Sequence, residues 1–173
     1  MTSILKVSEI QDPTNSNTAL TIDSAGRVSM GSSRPVLSAQ GNVNNNVVYA
    51  DSADITFATS GVNFGEFAQG GMSLVSNTRF TVPVTGLYYF SASVYMNDSN
   101  TSCRIQLTLN NSYSPTTTIA GLVQSGDAAS RTMTLTQVLN LTANDYVTVR
   151  NASGGSRTIY NGYNHTYAFM YLL

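Results

Sequence analysis

His165 is the only histidine in the chain and Cys103 the only cysteine. A Ser–His–Asp hydrolase needs a histidine to shuttle the proton, so any such triad would have to be built on His165. Its neighbours Asn164 and Thr166 describe instead a solvated histidine at the start of a strand. A disulfide or a thiolate metal cage needs further cysteines, so Cys103 reads as a small buried hydrophobe. The nine carboxylates are scattered, and only Asp51 and Asp54 fall close together. That spacing does not specify a glycosidase pair. It also falls short of the three or more clustered carboxylates that a calcium site draws on, even if Asp51 were joined by loop carbonyls. No Gly-rich phosphate loop precedes a helix. These residues predict no catalytic group, no metal and no cofactor, and hence a protein that acts by binding or by assembly.

Composition narrows the partners. Charged residues make up only 10% of the 173, and the net charge is −1. One lysine, Lys6, and seven dispersed arginines form no basic footprint, which argues against nucleic acid. No apolar run approaches the roughly 18 residues that span a bilayer, so membrane insertion is not expected. Residues 1–7 lack the basic and apolar regions of a secretory signal, which predicts a protein made and kept in a cytoplasm until assembly. The length suits one well-buried domain with a short appendage.

The elements that must carry any binding surface read as strands. Along residues 87–96, Tyr88, Phe90, Ala92, Val94 and Met96 alternate with Leu87, Tyr89, Ser91, Ser93 and Tyr95. Successive strand side chains point to opposite faces, so the first set fills a core and the second faces outward. In residues 131–141, Met133, Leu135, Leu139 and Leu141 form the core face, and Thr132, Thr134, Thr136 and Val138 the outer one. Tyr167, Phe169 and Tyr171 offer an outer set on the last strand. Further strands are predicted over 36–40, 46–49, 55–57, 72–75, 80–82, 104–109, 146–150 and 166–172. The loops between them are rich in Gly, Asn, Ser and Asp. No capped amphipathic helix is visible. The pattern predicts an all-β fold, an antiparallel β-sandwich.

The chain divides near residues 31–35, into a leader over residues 1–32 and a head over residues 33–173. In the leader, residues 19–23 and 27–30 flank Ser24-Ala25-Gly26 as a tight β-hairpin, with Gly26 supplying the positive φ of the turn. A lone hairpin is marginal in water. This one is expected to order only by pairing with copies of itself or with another protein.

Two resemblances follow from these residues. Arg79-Phe80-Thr81-Val82-Pro83-Val84-Thr85-Gly86-Leu87-Tyr88-Tyr89-Phe90 resembles the signature of the jelly-roll head shared by complement's first component and the tumour necrosis factor superfamily. Asn144-Asp145-Tyr146-Val147-Thr148-Val149 and the terminal run from Thr166 to Leu173 match two later landmarks, so the likeness covers about residues 35–173. It implies a TNF-like jelly roll that is a homotrimeric, noncatalytic binding head. It also implies that Tyr89, Ser91, Ser93, Tyr95, Thr134, Thr136, Tyr167, Phe169 and Tyr171 line the subunit interface. Phe169 departs from the family, which places a small residue there. Some relatives bind calcium, for which Asp51 is the one candidate ligand.

The leader resembles the N-terminus of many virion proteins of marine phages that infect cyanobacteria. The match runs over Thr2-Ser3-Ile4-Leu5-Lys6-Val7-Ser8-Glu9-Ile10-Gln11-Asp12-Pro13, and Leu20-Thr21-Ile22-Asp23-Ser24 resembles the stem repeat of tail fibres. This implies a phage structural protein found in the virion and assembled in the host cytoplasm. Ile4, Leu5, Val7, Ile10, Leu20, Ile22 and Val28 would then anchor it to other virion proteins. The head would bind a host-surface glycan through loops at 61–71, 97–102, 112–118 and 151–164. The alternatives are a capsid-cementing decoration trimer without a receptor, and a recognition module unrelated to virions.

Overall fold

The computed structural model describes residues 9–11, 18–22, 24–26, 28–30, 34–59, 67–98, 102–110, 118–125, 130–162 and 164–173. In chain order the strands are β1 (Glu9–Gln11), β2 (Thr18–Ile22), β3 (Val28–Met30), β4 (Val36–Gly41), β5 (Asn46–Tyr49), β6 (Phe57–Ala58), β7 (Phe67–Gln69) and β8 (Ser73–Val75). They continue as β9 (Arg79–Thr81), β10 (Gly86–Met96), β11 (Ser102–Leu109), β12 (Thr118–Ser125), β13 (Arg131–Leu141), β14 (Tyr146–Asn151), β15 (Arg157–Tyr160) and β16 (Tyr167–Leu172). The chain forms two compact units, Met1–Arg34 and Pro35–Leu173.

In the first unit, β2 and β3 form the expected hairpin, with Ile22 opposite Val28 and Gly26 at φ +76°. The expectation that this hairpin finds pairing only outside its own chain is corrected. β1 adds to β2 antiparallel, Ile10 opposite Leu20, making a three-stranded sheet. Of the anchor residues, Ile10, Leu20, Ile22 and Val28 lie on these strands, and Ile22 is exposed. Ile4, Leu5 and Val7 lie outside the described residues.

The second unit is a sandwich of an eight-stranded and a five-stranded antiparallel sheet. In the first, β13, β10, β16 and β4 lie side by side, with β6 and β7 against β4 and the β15–β5 pair at the end of β10. The second has the order β12-β11-β14-β9-β8. The all-β sandwich thus stands as the alternation implied. Tyr88, Phe90, Ala92, Val94 and Met96 are all fully buried, with Met133, Leu135, Leu139 and Leu141 beside them. From the other sheet, Cys103, Ile105, Leu107, Val147 and Val149 meet them, also fully buried. Phe80 on β9 packs edge to face on both Phe57 and Phe90, with ring centroids at 5.4 and 5.3 Å, and so ties the two sheets together.

Three strands of the head were not expected as strands. β7 lies within 61–71 and β15 within 151–164, while β12 runs on from the end of the 112–118 segment. β12 carries Gly121 in its middle, and β7 and β15 are too short to show a period. The segment expected as one strand at 55–57 serves both sheets. Asp54 bridges Arg150 and the Ile55 amide donates to the Val149 carbonyl at 2.8 Å, whereas Phe57 and Ala58 pair with β4.

Candidate functional site

Register places the outward residues of the eight-stranded sheet in rows, because residues opposite one another on neighbouring strands share a face. One row reads Val36, Tyr171, Tyr89, Val138, and the next reads Ser38, Phe169, Ser91, Thr136. The third reads Gln40, Tyr167, Ser93, Thr134. β7 extends the first two rows with Gln69 and Phe67. None of these side chains is charged. The pattern of the last strand and of β10 made most of this face legible, but Phe67 was missed because three residues carry no readable alternation.

Within the rows, Tyr89, Phe169 and Tyr171 form one aromatic cluster. Tyr89 lies 5.8 Å from Phe169 and 5.2 Å from Tyr171, and the Phe169 and Tyr171 rings are parallel within 5°. Phe169, the departure from the family pattern, is thus one of the three rings of this cluster, in which Tyr89 lies nearest to both others. Beside it the sheet surface is smaller and polar. Ser91 and Ser93 are buried among larger neighbours, and each hydroxyl pairs with a threonine across the strands, Ser91 with Thr136 and Ser93 with Thr134, both at 3.2 Å. These hydroxyls are satisfied within the chain. Its apolar rim is open: Leu87 is 52% exposed, Val138 50%, Tyr167 42% and Leu173 54%.

Tyr95 does not join that cluster. It shares the outward face of β10, but its ring meets Tyr160 and His165, at 6.4 and 5.2 Å. Tyr160 and His165 are themselves 4.8 Å apart. β10 pairs with β16 only as far as Ser93, and beyond it pairs with β15 at Met96. His165 is exposed, as expected, yet it has two ring partners.

The opposite face of the sandwich differs in charge. Arg150, nearly fully buried, donates to the Asp54 carboxylate at 2.8 Å, and the Arg79 guanidinium lies 4.8 Å from the centre of the Tyr146 ring. Arg104 is exposed on the same face. Asp51, the candidate calcium ligand, accepts a hydrogen bond from the Gly154 amide at 2.8 Å. Among the described residues no three of His, Cys, Asp and Glu gather where a metal ion would sit.

Sequence reasoning also missed a polar knot beside β15. Asn161, fully buried, donates to Asn42 Oδ1 at 2.6 Å, to the Tyr49 hydroxyl at 3.0 Å and to the Thr56 carbonyl at 3.1 Å. Gly41 is the residue that permits this, since a Cβ there would stand 2.5 Å from Asn161 Oδ1.

The C1q domain family model matches residues 41–173. Among solved structures, the chain is similar to Eiger TNF from S. frugiperda, at 18% identity and a TM-score of 0.66 over 81% of this chain and 92% of that one. It is similar to murine APRIL at 14% identity and a TM-score of 0.65, over 81% of this chain and 99% of that one. The globular domain of zebrafish complement 1qA matches at 16% identity and a TM-score of 0.60, over 81% and 97%. No curated protein matches the chain.

Proposed function

The chain belongs to the C1q domain family, and from that premise we propose that it is a noncatalytic binding head that closes into a homotrimer through the outer face of its eight-stranded sheet. The observation that carries this reading is the chemistry of that face: a stacked Tyr89–Phe169–Tyr171 cluster, an exposed apolar rim and no charge in its rows. Such a surface costs solubility on a monomer and suits the core of an obligate interface, which resembles a domain interior cut in half. The opposite face, with Arg79 half-buried and Arg104 exposed, suits solvent.

The leader's likeness to phage virion proteins supports a place on a virion, with Ile10, Leu20, Ile22 and Val28 on the sheet that docks to neighbouring virion proteins. The exposed loops of a rigid trimer then face a host-surface glycan, where three weak sites act together. Light scattering on the purified intact protein tests the assembly, with an expected mass three times the 18.5 kDa chain. Binding to virions lacking the native copy, by the intact protein and by one starting at Arg34, tests the anchor. A monomeric mass refutes the trimer. Undiminished attachment of the shortened protein refutes the anchor and favours a cementing role for the head.

A further inference from the structure

His165 is the one side chain of this protein whose ordinary charge change falls between about pH 5 and pH 8. It stands on the outward face of the eight-stranded sheet. Phe169 lies opposite Ser91 and Tyr167 opposite Ser93, and two residues further the same register sets His165 against Tyr95. Tyr95 is in turn opposite Thr132 on β13. The ring distances agree, since the imidazole is 5.2 Å from the Tyr95 ring and 4.8 Å from the Tyr160 ring at the end of β15. Thr166, between His165 and Tyr167, is fully buried, so alternation turns both its neighbours outward. His165, Tyr95 and Thr132 form a fourth row beside the three uncharged ones.

The turn holds the imidazole in place. The amides of His165 and Thr166 both donate to the Gly162 carbonyl at 3.1 Å. The Thr166 hydroxyl donates to the Tyr160 carbonyl at 3.0 Å and accepts from the Tyr95 amide at 3.3 Å. The surroundings offer a positive charge no counterpart. The elements packed here present Tyr95 from β10, Tyr160 from β15, Tyr167 from β16, Thr132 from β13 and Gln40 from β4, none of them charged in mild acid. The charges on these elements are held in other contacts. The Asp98 carboxylate, beyond the end of β10, accepts from the Thr158 amide at 3.1 Å. Arg157, at the start of β15, donates twice to the Ser102 carbonyl, at 2.8 and 3.1 Å. Arg131, at the start of β13, is buried with the inward set. Among the described residues His165 forms no ion pair.

We propose that His165 is an acid switch on the homotrimer: neutral, it packs into the interface with Tyr95 and Tyr160, and protonated, it opens the assembly. The proposal rests on the reading of this face as the subunit interface. In a free subunit His165 is exposed and its imidazolium stays hydrated. In the closed trimer the same charge loses water among aromatic rings with no carboxylate to pair it, and symmetry repeats it three times. Protons therefore bind the separated subunits in preference to the trimer. Each proton taken up on dissociation lowers the association constant about tenfold per pH unit, so three lower it by up to about a thousandfold. The stability that this group lends the trimer is fully present above the range in which an imidazole takes its proton, and is lost as pH falls through it.

Sedimentation velocity on the intact chain without a histidine tag, at one chain concentration and fixed ionic strength, tests this from about pH 8 to about pH 5. Wild type is expected as a trimer at the upper end and as a folded monomer at the lower. His165→Gln and His165→Phe, neutral throughout, are expected to stay trimeric across the range. Because the chain has one imidazole, its proton NMR signal is assigned without a variant, and it should move to the protonated position in step with the loss of trimer. A wild-type monomer at about pH 8 would overturn the subunit-interface reading, and the switch with it. A wild-type trimer that persists to about pH 5 would overturn the switch and leave the interface standing. Acid dissociation shared by wild type and both variants would overturn the role of His165 and transfer it to the carboxylates. Tighter association in acid would mean that tyrosine ring faces hold the imidazolium, and would overturn the direction of the switch.

Discussion

Replacing Tyr89 by aspartate is the sharpest test of where the subunits meet. In a single chain the change is mild. Tyr89 is half-buried, and the substitution gives up its contacts with Phe169 and Tyr171, cross-strand pairs worth about 0.2–1 kcal/mol each, while the new carboxylate remains hydrated. In a trimer closed on this face the same carboxylate is desolvated among aromatic rings, at an effective cost of several kcal/mol per ion. Threefold symmetry counts it three times. At about 3 kcal/mol per copy the assembly loses about 9 kcal/mol, a factor of about a million in the association constant. Sedimentation velocity over a hundredfold concentration range reads this directly. Tyr89→Asp should sediment as a folded monomer, Tyr89→Phe as the trimer, and Arg104→Asp, on the opposite face, also as the trimer. A Tyr89→Asp protein that keeps the trimeric mass at the lowest concentration, or dissociation by Arg104→Asp, would refute the assignment of the interface.

Other expectations concern the core and the division of the chain. Phe80→Ala removes a ring that packs on both Phe57 and Phe90, and should cost about 3–5 kcal/mol in urea unfolding at fixed protomer concentration; Phe80→Leu should cost less than about half of that. Burial pushes the Tyr88 phenol above its ordinary value of 10.0, and its hydroxyl donates to the Val84 carbonyl at 2.9 Å, a bond that only the protonated phenol can make. The raised folded value means that this stability is fully present below pH 10.0, the unfolded value, and is lost as pH rises from there through the folded value. Tyr88→Phe should therefore flatten the alkaline limb of the stability profile, at a cost near neutrality of about 1 kcal/mol for the lost hydrogen bond. A protein starting at Arg34 should unfold with the same urea midpoint as the full chain and keep its trimeric mass, while failing to attach to virions that lack the native copy.

The inward and outward sets of β10 and β13 were legible because the period of a strand is two, and one apolar face on each had to be buried. The Ser91 and Ser93 hydroxyls were correctly placed on the outer face, but their burial was not readable. It comes from taller neighbours on β16 and from Thr136 and Thr134 across the strands. β12 and β15 escaped notice because Gly121 and the Gly-Ser surroundings of Arg157 are turn signals locally. What makes these segments strands is the partner edge that each meets, β11 for one and β10 with β5 for the other.

By itself the sequence determined the all-β class, the two faces of the long strands, the aromatic content of the outer surface and the scarcity of charge. Each of these follows from side-chain type and the two-residue repeat, which are local properties. The tertiary structure decided which aromatics act together. Tyr89 and Tyr95 sit six residues apart on one face of one strand, yet pairing with β16 gives the first to Phe169 and Tyr171. Proximity to β15 gives the second to Tyr160 and His165. Strand neighbours are set by pairing between segments far apart in the chain, and pairing partners are chosen by the global burial of the core. Alternation places each ring on a face, and only the sheet order supplies its neighbour.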